Sequence, residues 1–264
     1  MSSILGKIYK TLLFFGFDPK KFLQAIKPRK ADWYKSDFEE LKRQKGTDNT
    51  FQIGSMRPIL KDKNDEGGTM KGHYFHQDLY VAGLINMTNP KKHLDIGSRT
   101  DGFVAHVASY REIELIDIRP IKSKVKNIVF RQANLMNLPD DLINYCDSIS
   151  SLHAIEHFGL GRYGDPIDYF GYLKAINNIA RILKSGGTFY FSVPIGPQRI
   201  EFNAHRVFSV EYLISILSKN YSIKSFSYVD DNGDFFKEIE LTADSIKSNF
   251  NCKYGCGIFT LIKK

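Results

Sequence analysis

The chain has 264 residues, of which 42% are hydrophobic and 25% are charged, and its formal net charge is +8. This hydrophobic content supports a sizeable core and excludes global disorder, and no apolar run approaches the roughly 20 residues of a membrane span. Three cysteines in a chain of this length argue against a disulfide framework and favour a reducing, cytoplasmic compartment.

The N-terminal part is basic. Residues 1–45 hold eleven of the 37 Lys and Arg residues and five of the 29 acidic ones, so +6 of the net charge lies there. Apolar residues recur at helical spacing from Ile4 to Ile26, with interruptions at Gly16 and Pro19. The apolar, Phe-rich segment Leu12–Phe17 predicts either a peripheral membrane anchor or a helix that packs on its own domain or on a second subunit.

Residues 46–70 are polar and rich in glycine, which is typical of a loop. We therefore predict a basic helical extension with its loop at residues 1–70 and a catalytic domain at residues 71–264. The extension suits an acidic partner: a membrane surface, a phosphorylated carrier or RNA.

From His73 onward the pattern alternates between helices and strands. A helix is predicted from His73 to about Met87. The predicted strands are Lys92–Ile96, Ile113–Asp117, Asn127–Phe130, Ser148–Leu152, Thr188–Val193, Ile223–Tyr228 and Gly257–Ile262. The predicted helices among them are Phe103–Ser109, Asp140–Tyr145, Asp168–Leu183 and Val210–Leu217. Such alternation predicts an α/β fold with a mostly parallel sheet.

The most informative motif ends the first of these strands. Asp95-Ile96-Gly97 leads into a polar turn that reaches Gly102, and about twenty residues later the next strand ends at Asp117. In Rossmann-like sheets a glycine at this turn lets the backbone approach a ligand, and the acid can bind both ribose hydroxyls. Because the glycine spacing is not G-x-G-x-x-G, the motif favours a nucleoside ligand such as S-adenosylmethionine over a dinucleotide.

Four segments resemble the class I S-adenosylmethionine-dependent methyltransferases in their order and spacing. They are His93–Gly102, Ile113–Asp117, Asp147–His157 and Arg181–Pro194. The last contains a turn similar to the family's LKPGG turn, with Ser185 in place of proline. The resemblance implies a Rossmann-like fold with a mostly parallel seven-stranded sheet flanked by helices, after an N-terminal helical extension.

Three other segments look like a bacterial subfamily of uncharacterised methyltransferase-like proteins that are often linked with surface-polysaccharide biosynthesis. These are His73–Leu79, Gly159–Pro166 and Phe202–Phe208. By analogy, the acceptor would be a sugar, a sugar nucleotide or a lipid-linked glycan.

The resemblance also implies where the cofactor lies. Asp95 and Gly97 would lie under its methionine end, and Asp117 would hold its ribose. Asn134 occupies a position where the family often has an acid near the adenine, and Leu135 would pack on the adenine ring. The full predicted cofactor set is Asp95, Gly97, Ser98, Asp117, Asn134, Leu135 and Leu152.

Methyl transfer requires the acceptor atom, the methyl carbon and the sulfur to be aligned. A sugar hydroxyl is barely acidic, so O-methylation benefits from a base, and histidine titrates near neutrality. His157 follows the fourth strand and His205 follows the fifth, and each is a candidate for this base.

Gly159–Asp168 predicts an active-site loop with two candidate roles for its acids. Asp165 and Asp168 could hold a divalent metal, which we do not favour, or cap the following helix. Arg199 and Arg206 are predicted to bind a diphosphate. His73, His76 and Asp78 are predicted to form either a lid or a buried helix start. The predicted substrate-binding set is Arg162, Tyr163, Asp165, Arg199, Asn203 and Arg206.

Two sequence patterns are similar to zinc sites, and each favours another interpretation. His153–His157 matches the inverted zinc-protease pattern H-x-x-E-H, but that chemistry needs both histidines on one helical face, and this segment begins at a strand end. Cys252 and Cys256 have no second ligand pair in sequence, which favours two small apolar side chains.

Three other functions are alternatives: an RNA methyltransferase that uses the basic arm, a nicotinamide-dependent oxidoreductase, and a non-catalytic cofactor-binding protein. The near balance of charge beyond residue 45 argues against a nucleic-acid groove across the catalytic domain. We predict a cytoplasmic protein that contacts the inner face of the membrane through its extension, and the oligomeric state stays open.

Overall fold

The computed structural model describes residues 4–26 and 32–264. The predicted basic extension includes residues 1–3 and 27–31, which lie outside the described residues. The chain divides into two compact units, residues 1–69 and 70–264. In the described ranges, no helix has the length and apolar character needed to cross a membrane.

The first unit contains the helices α1 (Ile4–Phe14), α2 (Pro19–Ile26) and α3 (Asp32–Lys45). Helix α1 ends where Gly16 takes a φ of +80°, a left-handed conformation that glycine adopts without strain. Helix α2 begins with a proline at its first position, and the Asp18 carboxylate accepts hydrogen bonds from the backbone N–H groups of Lys20 (3.0 Å) and Lys21 (3.3 Å).

The second unit is a sheet with helices on both faces. Its helices are α4 (His73–Thr88), α5 (Ala105–Ala108), α6 (Gly171–Ile182), α7 (Val210–Leu217) and α8 (Ala243–Lys247). Its strands are β1 (His93–Ile96), β2 (Ile113–Asp117), β3 (Ile128–Gln132), β4 (Cys146–Leu152), β5 (Leu183–Ile195), β6 (Arg199–Glu201), β7 (His205–Val207), β8 (Tyr221–Val229), β9 (Phe235–Phe236) and β10 (Gly255–Lys263).

Within the described residues, eight of these strands form one sheet in the order β3-β2-β1-β4-β5-β10-β8-β9, and β6 and β7 form a separate hairpin. Neighbours from β3 to β5 are parallel, whereas β10 runs antiparallel to both β5 and β8. The predicted α/β fold with a mostly parallel sheet is confirmed. The sheet has eight strands instead of seven because β9, only two residues long, adds to the edge at β8.

Some predicted elements differ locally. The helix predicted over Asp140–Tyr145 is only a 3-10 turn, Asp140–Leu142, and Asn144 then takes a φ of +51°. The helix predicted over Phe103–Ser109 is a π-helical turn, Thr100–Val104, followed by the short α5. The turn predicted after Leu183 is instead part of β5, and the register of the pairing between β5 and β4 shifts there.

The central strands of the sheet are buried on both faces. Side chains alternate between the two faces along β5. Phe189 and Phe191 pack into the core on the α6 and α7 side, whereas Tyr190 packs into the core on the α4 and α5 side. Residues such as Ile179 of α6 and Ile85 of α4 complete the two layers. This sandwich fixes the strand ends from which the candidate site is built.

Candidate active site

A cleft of ≈ 670 Å³ opens at the carboxyl ends of β1 to β4. Strand β1 lies between β2 and β4, so the strand order reverses at this point in the sheet. In open α/β sheets, ligands bind in the crevice that such a reversal creates. The lining residues all belong to the second unit.

The turn after β1 forms the floor of the cleft. Gly97 has a φ of +68°, and a Cβ there would lie 3.1 Å from Cβ of Ala154, so a glycine fits this turn best. The buried Asp95 carboxylate accepts hydrogen bonds from the backbone N–H of Ser98 (3.0 Å) and from the hydroxyls of Ser98 and Ser150 (2.6 Å each). Burial raises the pKa of Asp95 to about 6.

Two residues of the predicted cofactor set therefore stabilise the turn and do not face the cleft. Asp95 and Leu152 do not line the cleft, whereas Gly97 and Ser98 do. The hydroxyl of Ser98 accepts a hydrogen bond from the backbone N–H of Leu152 at 3.0 Å. Asp95 and Leu152 thus hold the turn in place without facing a ligand themselves.

Asp117 lines the cleft at the end of β2, and its carboxylate is paired with Arg119. The Arg119 guanidinium donates to the two carboxylate oxygens at 3.0 and 2.8 Å and lies over the ring of Tyr163, 4.3 Å from its centroid. A ribose at Asp117 would share or displace this arginine. Arg119 lies outside the predicted site residues, although it follows Asp117 by only two positions.

Asn134 and Leu135 also line the cleft. The side-chain carbonyl of Asn134, predicted to accept the adenine amine, already accepts the backbone N–H of Met136 at 3.0 Å. A carbonyl oxygen has two lone pairs, so one position remains for a ligand donor.

His157 lines the cleft in a 3-10 turn after β4, Ile155–His157. Its Nδ1 lies 2.6 Å from the backbone carbonyl of Ala204, so Nδ1 carries the proton in the neutral ring and Nε2 is the free acceptor. Burial lowers the pKa of His157 below its ordinary 6.5. The ring is therefore neutral at pH 7, which is the state that a base requires.

His205 lines the same cleft from β7. Its ring centroid lies 5.1 Å from that of Tyr254, and burial lowers its pKa. In the described part of the chain, its buried Nε2 has no hydrogen-bond partner. The structure thus brings both candidate bases to one cleft.

A buried ion pair, His153 and Glu156, forms part of the cleft wall. Nδ1 of His153 lies 2.8 Å from Oε1 of Glu156, and Nε2 of His157 lies 3.7 Å from the same oxygen. Although burial opposes charge on both residues, Cys256 and Glu156 hold the pKa of His153 well above its ordinary value, and His153 lowers that of Glu156. His153 also has a φ of +50°, which is uncommon outside glycine.

The predicted loop contributes Arg162, Tyr163 and Asp165 to the cleft. The Asp165 carboxylate accepts three backbone N–H groups of its own loop, from Gly159 (2.7 Å), Tyr163 (3.2 Å) and Gly161 (3.3 Å). Asp168 accepts the backbone N–H of Phe170 at 2.9 Å and pairs with Lys174 at 2.5 Å. These contacts favour the loop and helix-start roles of the two acids over metal binding.

The other three predicted substrate residues do not line the cleft. Arg206 is buried, and its guanidinium donates to the backbone carbonyls of Glu156 (3.2 Å), Phe158 (2.7 Å) and Tyr169 (3.1 Å). The predicted diphosphate grip by Arg206 is therefore wrong, because its donors hold the loops together.

Arg199 and Asn203 are also not among the residues that line the cleft. Arg199 pairs with Glu201 at 2.8 Å and donates to the backbone carbonyls of Pro197 and Lys253. Asn203 is exposed in the turn between β6 and β7. Neither residue lines this cleft, and their substrate contacts stay predictions.

Of the region predicted as a lid, Tyr74 lines the cleft while His73, His76 and Asp78 do not. His73 stacks on His153 and His76 stacks on Phe235. Asp78 is buried, and burial raises its pKa to about 6. The second predicted alternative, a buried helix start, describes these residues better.

The fold is that of the class I methyltransferases. The chain is similar in structure to the [4+2]-cyclase SpnF, with a TM-score of 0.50 and 15% identity over 70% of this chain and 80% of the other. It is also similar to a Burkholderia thailandensis 1,6-didemethyltoxoflavin-N1-methyltransferase that was solved with S-adenosylhomocysteine, with a TM-score of 0.51 and 14% identity over 71% and 78% of the two chains.

Residues 108–262 match the family described as Caenorhabditis protein of unknown function, DUF268. The match spans more than half of the chain, and the chain belongs to this family. A comparison with curated proteins finds no significant match.

Gly159 offers a test of how closely the cleft loop packs. A Cβ at Gly159 would lie 1.9 Å from the backbone carbonyl oxygen of Asp168, whereas a Cβ at Gly164 in the same loop would meet nothing within 4 Å. Both glycines have a positive φ, +78° and +82°, so Gly164→Ala controls for the backbone strain alone. We expect Gly159→Ala to lower the free energy of unfolding by about 1–3 kcal/mol more than Gly164→Ala, measured by urea unfolding. Equal losses would show that the loop does not pack as described.

Proposed function

We propose that this chain is an S-adenosylmethionine-dependent methyltransferase. The observation that carries the proposal is the meeting of the Gly97 turn and Asp117 in one cleft at the reversal point of the sheet. Rossmann-like sheets bind an adenosine in this arrangement, with the backbone close to the ligand and an acid at the ribose. The likeness in fold to a methyltransferase solved with S-adenosylhomocysteine supports it.

Asp117 provides the direct test of the cofactor. Asp117→Ala removes the proposed ribose acceptor, and hydrogen bonds to a charged group contribute about 1.5–3 kcal/mol, so S-adenosylhomocysteine should bind at least about tenfold more weakly by calorimetry. Asp141→Ala is a matched control, because Asp141 is also paired with an arginine, Arg131, and lies outside the cleft.

Calorimetry with NAD in parallel separates the alternatives for this cleft. Folded wild-type protein that binds neither ligand would remove the basis of the enzyme assignment. Binding of NAD alone would favour an oxidoreductase.

We propose that the acceptor atom is a hydroxyl oxygen and that His157 is the base. Bound S-adenosylmethionine supplies an electrophilic methyl carbon on a sulfonium sulfur. Nε2 of His157 would accept the hydroxyl proton as the acceptor oxygen bonds to that carbon and the carbon–sulfur bond breaks. The hydrogen bond from Nδ1 to the carbonyl of Ala204 supports this assignment, because it orients the ring and keeps Nε2 free.

We propose a sugar, a sugar nucleotide or a lipid-linked glycan of surface-polysaccharide biosynthesis as the acceptor. The cleft wall combines hydrogen-bond donors such as Arg162 with the rings of Tyr163 and Tyr254, a mixture that suits a molecule with many hydroxyls. The subfamily resemblance at Gly159–Pro166 and Phe202–Phe208 supports the same class.

His157→Gln tests the base. General-base catalysis contributes about 10²–10⁴-fold, so we expect a loss of that size in the rate of S-adenosylhomocysteine formation with an active sugar nucleotide. Binding of S-adenosylhomocysteine should be retained. For the wild-type protein, the rate should rise with pH and level off below pH 6.5, because burial lowers the pKa of the base from that value.

His205→Gln is the comparison, since His205 is the rival base in the same cleft. A large loss in His205→Gln with little effect of His157→Gln would reverse the assignment.

Two other functions follow from specific observations. Similarity to a [4+2]-cyclase shows that this fold hosts other chemistry, so a cofactor-binding protein without methyl transfer is the second candidate. An RNA methyltransferase is the third, and it rests on the basic N-terminal residues. Binding of S-adenosylhomocysteine without turnover on glycans would favour the second, and salt-sensitive RNA binding would favour the third.

We propose that the protein is cytoplasmic and contacts an anionic membrane surface through α1 and α2. Phe14 and Phe15 are 84% and 77% exposed, and the exposed Lys20 and Lys21 lie in the first turn of α2. Exposed aromatic rings beside lysines are typical of interfacial segments. We expect Phe14→Ser with Phe15→Ser to reduce co-sedimentation with anionic vesicles several-fold, while Phe51→Ser, which changes another exposed ring, does not. Equal sedimentation of all three proteins would contradict the contact.

A further inference from the structure

We infer that His73, His153 and Cys256 form a binding site for a divalent transition metal, with Zn²⁺ preferred. The three residues come from separate elements: His73 begins α4, His153 follows β4, and Cys256 lies near the start of β10. Their potential ligand atoms all lie within 4.8 Å of one another. Two imidazole nitrogens and one sulfur are a common donor set for zinc.

His153 supplies the observation that points to a ligand. Its side chain is only 3% exposed, and its Nδ1 is committed to Glu156 at 2.8 Å. Among the residues that the structure describes, its buried Nε2 makes no hydrogen bond of normal length and angle, and the group that acts on it from that side is the Cys256 thiol. Buried polar atoms are nearly always satisfied, so an unsatisfied one next to a thiol and a second imidazole indicates a missing partner. A metal ion would be that partner.

The environment of His153 matches that of a metal-binding histidine. Such histidines usually bind the metal through one ring nitrogen and donate the other N–H to a carboxylate, which fixes the tautomer and the ring orientation. Glu156 is that carboxylate here, and it is itself 1% exposed. Because Glu156 already orients the ring, metal binding would not require His153 to move far.

Binding does require a modest closure. Zinc–nitrogen distances of 2.0–2.1 Å place two tetrahedral nitrogen ligands roughly 3.4 Å apart, closer than the 4.8 Å within which the three atoms lie. His73 is the half-buried member of the three and stacks on His153 with 5.2 Å between ring centroids. A turn of the His73 ring is therefore the adjustment that we expect.

The other cysteine of the C-terminal pair is not part of this site. Sγ of Cys252 lies 3.7 Å from the carbonyl oxygen of Phe250, whereas Cys256 lies beside Gln77 and is fully buried. Three protein ligands leave a fourth tetrahedral position, as in catalytic zinc sites. Since His153 lines the cleft, a metal bound there would lie at the cleft wall.

Cobalt titration of the full-length, metal-stripped protein tests the site. We expect about one equivalent of Co²⁺ to bind and to give a thiolate-to-cobalt charge-transfer band with visible d–d bands of tetrahedral type. Cys256→Ser should abolish the charge-transfer band, and Cys252→Ser, the matched control four residues away, should retain it. Zn²⁺ should displace the cobalt and remove the bands.

Glu156→Gln tests whether the Glu156 carboxylate orients His153 for metal binding or only stabilises the fold. Loss of such a partner typically costs about 10–100-fold in metal affinity, and we expect that loss with the cobalt spectrum retained. A folded wild-type protein without the charge-transfer band, or a band that survives Cys256→Ser, would overturn the site. These titrations contain no S-adenosylmethionine or S-adenosylhomocysteine, so their outcome is independent of the proposed methyl transfer.

Discussion

The architecture of the cleft depends on one buried carboxylate. Asp95 is fully removed from solvent, and such a group is stable only when hydrogen-bond donors surround it. Ser98 and Ser150 provide these donors, and Ser98 in turn accepts the N–H of Leu152. Because Ser98 follows β1 and Ser150 belongs to β4, this network joins the two strands whose ends frame the cleft. The shape of the Gly97 turn is therefore a consequence of satisfying Asp95.

Arg206 stabilises the loops around the cleft, as Asp95 stabilises the turn after β1. A buried guanidinium carries five N–H donors, and here three of its contacts are backbone carbonyls from two different segments. One segment is the 3-10 turn Ile155–His157 with Phe158, which follows it, and the other contains Tyr169, just before α6. Removing this side chain would leave those carbonyls unsatisfied, so the position of His157 depends on a residue that has no access to the cleft.

Local periodicity predicts the elements that have a regular apolar repeat. The predicted bounds of α7, Val210–Leu217, match those of the structure. Local periodicity fails at Asp140–Tyr145, where two acids look like a helix start but the chain leaves the helix within one turn. The strand ends of the site could be predicted because parallel strands place their carboxyl ends at one edge. The partnership of His153 with Cys256 could not, because β10 inserts antiparallel and joins residues about one hundred positions apart.

Glu156 lies between His153 and His157 and does not bind both equally. Its Oε1 is at hydrogen-bond distance from His153, 2.8 Å, and well beyond it from His157, 3.7 Å. Its charge is therefore neutralised chiefly by His153, and burial keeps the pKa of His157 low. A metal at Nε2 of His153 would replace one imidazole proton and leave the contact at Nδ1 intact. One carboxylate thus fixes the first ring in place and leaves the second free to take a proton.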